Sequence, residues 1–220
     1  MNFKHAEGLL FEDINVGYWP TGGRYYETPE GKRYPSVTTV LSHGTDQSWK
    51  DAWIARVGQA EADRVSKQAT TRGTAVHELI EKYMNNDPDW SKGAMPTHVA
   101  SVRKILSALE KNVELIYANE APLWSDTLRV AGRVDCVGIW AGKPSIIDFK
   151  TSKKQKRRED ITNYFMQESA YAMMWFERVG QPIPQLVTVI TVDDGPGQVF
   201  IEKTKLWLPE FIKIREKVSL

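Results

Sequence analysis

The chain has one cysteine, almost no net charge and no long apolar run, and each scarcity removes a class of protein. A lone Cys136 cannot close an internal disulfide, so a disulfide-stapled scaffold is excluded and a reducing compartment is implied. A formal net charge of +1 at pH 7 provides no global basic field, so any polyanion has to be met by local patches. No stretch has the apolar core of a signal peptide or the length of a spanning helix, so the expectation is a cytoplasmic protein with no membrane partner. Internal repeats and low-complexity tracts are missing, as are a G-x-S-x-G elbow, a Walker loop and Cys/His zinc spacings. What remains is 220 residues, 41% hydrophobic and 26% charged, enough for one substantial core.

The most informative stretch is Gly132-Arg133-Val134-Asp135, followed by Ile146-Ile147-Asp148-Phe149-Lys150-Thr151. Residues 128–140 are rich in β-branched side chains, Ala141-Gly142-Lys143-Pro144 reads as a turn, and residues 145–152 form a second strand. A hairpin centred between Gly142 and Lys143 sets Asp135 opposite Lys150, with Asp148 its diagonal neighbour. Alternation then points Asp148 and Lys150 to one face and Ile147 and Phe149 to the other. Diagonal neighbours lie about 7–8 Å apart at the backbone, within reach of one shared divalent cation. A surface salt bridge between Asp135 and Lys150 is the bland alternative. The apolar flanks (Val134, Cys136, Val137, Ile146, Ile147) argue for a core hairpin, where unpaired like charges are costly.

Elsewhere, residues 24–40 alternate around Pro29-Glu30-Gly31-Lys32, a hairpin lid, and residues 46–68 read as helical. Thr70 or Thr71 is expected to cap a further helix with the stripe Val76, Leu79, Ile80, Tyr83 and Met84. Thr97 opens a long helix striped by Val99, Val102, Leu106, Leu109, Val113 and Ile116, and strand follows from Leu123. Helix returns over 159–179 and is closed by Gly180; strands at 185–192 and 198–202 precede a last helix near Pro209. Helices before, between and after a small sheet predict an α/β sandwich.

The acid on one strand and the acid-x-lysine on the next resemble the PD-(D/E)XK nuclease superfamily, and more narrowly its RecB-type branch, which includes CRISPR-associated and phage exonucleases. Tyr34-Pro35-Ser36-Val37-Thr38-Thr39-Val40-Leu41 and Arg72-Gly73-Thr74-Ala75-Val76-His77 resemble the branch's upstream segments, and Gln167 with Tyr171 its Q-x-x-x-Y pair, so the likeness runs in order from about Tyr34 to Tyr171. The resemblance implies an α/β PD-(D/E)XK fold, a central mixed sheet flanked by helices. It divides one domain over 1–220 into an N-terminal lid and helical elaboration (1–71) and a nuclease core (72–220). It also implies a site in which Asp135, Asp148 and the backbone carbonyl of Phe149 bind Mg2+ or Mn2+, with His77 as a further ligand. Asp135, Asp148, Lys150, Gln167 and Tyr171 are its catalytic residues.

From the residues alone, His77 is a boundary histidine on a helical face shared with Glu81, without the second histidine of a zinc-protease helix. Gln167 and Tyr171, four apart, share a helix face; they either pack at the core rim or hold Lys150 and a phosphate. Glu120 is either an acid just outside the ligand set or, more economically, a surface residue at a helix end. Lys153, Lys154, Lys156, Arg157 and Arg158 form a basic run that is either a solvated loop or a phosphate contact. Trp49, Arg56 and Arg72 are candidate contacts to single-stranded nucleic acid. The expected activity is a metal-dependent DNA exonuclease acting on single-stranded or frayed ends in phage or bacterial replication, recombination or repair. The alternatives are a structure-specific endonuclease with the same site and an inactive nucleic-acid-binding module.

Overall fold

The computed structural model describes residues 2–20 and 22–219. Near its start, β1 (Asn15–Tyr18), β2 (Arg24–Glu27) and β3 (Arg33–Pro35) form a small antiparallel sheet in that order. Its buried side chains Tyr26 and Tyr34 pack with Ile14 onto Trp124 and Ala131 of the larger sheet. Helix α1 (Val37–Gly44) begins at once, because the Ser36 hydroxyl accepts the Thr39 amide at 3.0 Å and so caps the first turn. The expected alternating stretch therefore stops at Pro35, and Val37 to Val40 are helical.

Helices α2 (Ser48–Val57) and α3 (Gln59–Met84) are separated only by Gly58, whose φ of 84° breaks the helical path. No cap forms at Thr70 or Thr71: α3 runs straight through them, and the Thr70 hydroxyl donates back to the Ser66 carbonyl at 3.0 Å. Gly73, just beyond them, stays within the helix and adopts no positive φ, so nothing stops α3 there. The boundary expected at 71/72 thus falls inside α3. Among the described residues α2 buries no side chain, whereas the second half of α3 buries Val76, Leu79, Ile80 and Met84.

After α4 (Pro96–Asn112) comes β4 (Val113–Ser125), ten residues earlier than strand was expected at Leu123. Val113 and Ile116 continue the apolar stripe of α4 because they are buried as strand residues in the same core cluster, so periodicity alone does not mark the change. Then follow β5 (Val130–Trp140), β6 (Lys143–Ser152), a 3-10 turn at Arg158–Ile161, α5 (Thr162–Val179), β7 (Gln185–Val192), β8 (Gln198–Lys203) and α6 (Thr204–Lys217). Gly180, at φ 79°, closes α5 as its sequence position predicts. The last helix starts at Thr204 rather than near Pro209, which sits inside it.

The large sheet has the order β4-β5-β6-β7-β8, with β6 and β7 parallel and the other pairs antiparallel. This is the α/β sandwich expected from the order of elements, with the mixed sheet that the family resemblance implies. One face carries α1, α5 and α6 around fully buried Trp175, Phe165 and Phe211; the other carries α3 and α4 around Trp140, Ile105 and Ile147. Each such fully buried aliphatic or aromatic side chain contributes about 1.5–3 kcal/mol of apolar burial. Among the described residues no helix is long and apolar enough to cross a membrane.

Candidate active site

The hairpin of β5 and β6 turns on Ala141 and Gly142, both at positive φ (47° and 77°), the conformation of a tight two-residue loop. Trp140 pairs with Lys143 and Cys136 with Ile147. The register is therefore two residues away from the one centred on Gly142-Lys143, because Lys143 and Pro144 belong to the strand and not to the turn. Continued past the last pair, it puts Asp135 across from Asp148, not Lys150. Pairing ends there: the Phe149 amide donates instead to Oδ2 of Asp135 at 2.8 Å. A strand residue's amide and carbonyl face the same edge, so the Phe149 carbonyl is directed into the same gap. Val134 and Cys136, two apart, pack into opposite cores, so simple alternation also fails at Asp135.

Two further side chains meet Asp135 in this gap. His77 comes from α3, with Nδ1 at 3.5 Å from Asp135 Oδ2 and its ring edge-on to Phe149. Glu120 comes from β4, where its backbone adopts φ 47°. A left-handed glutamate inside a strand is uncommon and costly, and such positions gather at functional sites. The guanidinium of Arg133 donates to the Glu120 carbonyl at 2.6 Å and steadies the kink. Glu120 is thus half-buried in mid-strand and not at a helix end, and one ligand atom from each of His77, Glu120 and Asp135 lies within 4.8 Å of the others. Burial, then the nearby Asp135 and Glu81, push the Glu120 carboxyl up to about 8. One imidazole with two crowded carboxylates is a donor set that fits a divalent cation of the magnesium or manganese type, and the imidazole suits manganese.

Asp148 is not one of that trio. It is 1% exposed, its Oδ2 contacts the Lys150 ammonium, and Gln167 reaches its Oδ1 at 3.4 Å. Burial raises the Asp148 carboxyl above its ordinary range, against the pull of Lys150. For Lys150, burial acts downward but the Asp148 and Asp135 charges outweigh it, so the ammonium is held above the usual lysine value. Its Nζ lies 5.2 Å from the centre of the Tyr164 ring. Gln167 therefore holds the acid rather than the lysine. Tyr171, one turn on, lies against Gly132, where an added Cβ would come within 2.8 Å of the ring. The glycine of Gly132-Arg133-Val134-Asp135 is thus required by close approach.

A cavity of about 510 Å³ opens on this gap and is lined by His77, Glu120, Asp135, Lys150, Gln167 and Tyr171, with Arg24, Tyr26 and Thr38 on its wall. The remaining sequence candidates lie outside its lining. Arg72 is ion-paired with Asp193 beside a separate cavity. Trp49 is 66% exposed on α2, and Arg56 is exposed on the same helix. In the basic run, Arg157 pairs with Asp160 and Arg158 with Glu202, the latter guanidinium stacked over Trp207. Lys153, Lys154 and Lys156 make no ion pair among the described residues; Lys156 is stapled through its backbone to Gln198. Arg24, Glu78 and Arg133 line the cavity without having been singled out from sequence. Glu120 falls across from Asp135 only after two irregularities shift the β4/β5 register, between Val113 and Leu115 and between Ile116 and Ala118, so no regular strand pattern would have signalled it.

The chain belongs to the PD-(D/E)XK nuclease superfamily, whose family model matches residues 52–204. Mitochondrial genome maintenance exonuclease 1 of Homo sapiens is 29% identical over 136 residues, which cover 56% of this chain and 38% of that protein. The Mus musculus protein of the same name is 25% identical over 129 residues, with the same coverage. This chain therefore spans well under half the length of these relatives. A crystal structure from Eubacterium rectale aligns over 67% of this chain and 69% of its own with a TM-score of 0.40 at 10% identity, a distance at which likeness carries no functional weight. By family the chain belongs with nucleases, and the curated relatives it matches are named exonucleases.

Proposed function

We propose that the chain is a metal-dependent deoxyribonuclease that hydrolyses phosphodiester bonds from single-stranded or frayed ends. The observation that carries this reading is the meeting of His77, Glu120 and Asp135 beside the Lys150–Asp148 pair at the mouth of one cavity. In it, His77, Asp135, Asp148, the Phe149 carbonyl and Glu120 hold Mg2+ or Mn2+. When bound, that cation supplies a water of lowered pKa and stabilises charge on the phosphoryl oxygens. Lys150, paired with Asp148, orients or deprotonates the water or neutralises developing charge. Tyr171, whose phenol burial drives upward, stays neutral and donates to a phosphate oxygen, and Gln167 holds Asp148 in place. The relatives named exonucleases, and a cavity of small-molecule size walled by β2, favour the end of a single strand over the interior of a duplex. A cytoplasmic role in DNA replication, recombination or repair, in a phage or its bacterial host, is part of the same proposal.

End-labelled linear and closed circular single strands, each incubated with the protein and Mg2+ or Mn2+, test it. Linear strands are expected to shorten while circles stay intact. Opened circles would make the enzyme an endonuclease, and two untouched substrates with either metal would remove the activity.

A further inference from the structure

Arg24 is an arginine on the wall of this cavity, and no protein anion pairs with it among the described residues. Arg33, Arg64, Arg72, Arg133, Arg157, Arg158 and Arg178 all have carboxylate partners. Its guanidinium carbon lies over the ring of buried Tyr26, 5.3 Å from the centroid, and its side chain makes no hydrogen bond within the protein among the described residues. Its backbone is tied to the start of α1: the Arg24 amide donates to Thr39 Oγ1 at 2.9 Å, and its carbonyl accepts the Ser36 amide at 2.8 Å. Thr38, on the same turn, also lines the cavity, as do Gly73 and Thr74 of α3. Those two sit one turn before His77 and Glu78, so the cavity extends about 6 Å along the helix beyond the metal-binding residues. Arg24 and Thr38 lie outside the segment that the family model matches.

From this we infer that the small N-terminal sheet supplies a second phosphate subsite. Arg24, with the hydroxyls of Thr38 and Thr74, takes the phosphate next to the scissile one, so the cavity grips a strand and not a lone diester. A forked, always-charged donor with two hydroxyls is the chemistry of a phosphate site, whereas the acids beside His77 repel that same anion. The inference rests on the nuclease reading given above.

The test compares hydrolysis by the full chain with Mn2+ on single-stranded oligothymidylate and on bis(p-nitrophenyl) phosphate, a diester with no neighbouring phosphate. Arg24→Gln keeps the backbone bonds to Ser36 and Thr39. It is expected to lower kcat/KM on the oligonucleotide at least about tenfold more than on the lone diester, the effect of removing one charge-assisted hydrogen bond. It should also flatten log KM against log salt by about 0.7, the slope of a single phosphate neutralised on a single strand. Thr38→Val is expected to give the same substrate selectivity more weakly, with the salt slope unchanged because no charge is removed, and that selectivity decides the matter should Arg24→Gln lose the native circular dichroism spectrum. Equal losses on both substrates in either variant, or an unchanged salt slope in a folded Arg24→Gln, would overturn the subsite. A wild-type protein inert on both substrates with metal would overturn the nuclease reading and the subsite with it.

Discussion

Glu120 is the residue at which sequence and site diverge most. Its acidic character was visible, but its role depends on β4 beginning at Val113 and on a left-handed kink that no local pattern announces. Its carboxyl, raised from 4.5 to about 8, makes a prediction with a definite sign. An acid with a raised folded-state value gives stability that is complete below the unfolded value and is lost as pH rises through the folded one. The metal-free protein should therefore melt lower at pH 8 than at pH 5, and Glu120→Gln should reduce that difference in a thermal scan. A cation has to displace the same proton, so Mn2+ affinity should rise with pH up to about 8, by at most about tenfold per unit. In Glu120→Gln the affinity should be weaker and its pH slope shallower; an equal slope in both proteins would remove Glu120 from the ligand set. That Asp135, Asp148 and Lys150 lie close together was legible from the acid and acid-x-lysine pattern on paired strands, whereas His77 came into view only through the family resemblance. Arg24 was not legible, because it reaches the cavity from a sheet far away in the chain.

At the scale of elements, Gly180 closes α5 as its position predicts. The break that Gly58 makes between α2 and α3 falls inside the single helical stretch expected over 46–68, and α4 passes into β4 with its apolar stripe unbroken. The hairpin register was missed by two residues because Lys143-Pro144, which looks like turn material, pairs with Ile139 and Trp140 at the start of β6. The loop after β6 shows the same limit: five cations stand together in sequence, but Arg157 and Arg158 are committed to Asp160 and Glu202. Replacing Lys153, Lys154 and Lys156 with Gln should therefore weaken single-strand binding. It should also flatten the salt dependence, measured by fluorescence anisotropy, by about 0.7 for each phosphate those lysines neutralise. Arg158→Gln should lower the melting temperature and leave that slope alone. The opposite assignment of slope and stability would show that the arginines, released from their partners, are the phosphate contacts.

For the molecule as a whole, the five-stranded sheet separates two cores, and the site lies where β5 and β6 part, so residues from both sides reach one gap. His77 arrives from the α3 side, Gln167 and Tyr171 from the α5 side, and the small N-terminal sheet closes the wall. The α/β sandwich was legible because alternating and helical periods follow one another along the chain, and the mixed sheet was implied by the family resemblance; how Ile14, Tyr26 and Tyr34 come to pack on β4 and β5 was not legible, since those contacts are all long-range. Asp135 is the one side chain that ties this arrangement together, through the Phe149 amide and His77. Asp135→Asn keeps an oxygen for the Phe149 amide while removing the charge, so it tests the metal centre without dismantling the hairpin. The decisive measurement is calorimetric titration of Mn2+ into wild-type and Asp135→Asn protein, with cleavage of a linear single strand followed in the same samples. The variant should keep its fold, bind Mn2+ at least about tenfold more weakly and cleave no strand. Wild-type affinity together with wild-type cleavage in Asp135→Asn would contradict the account.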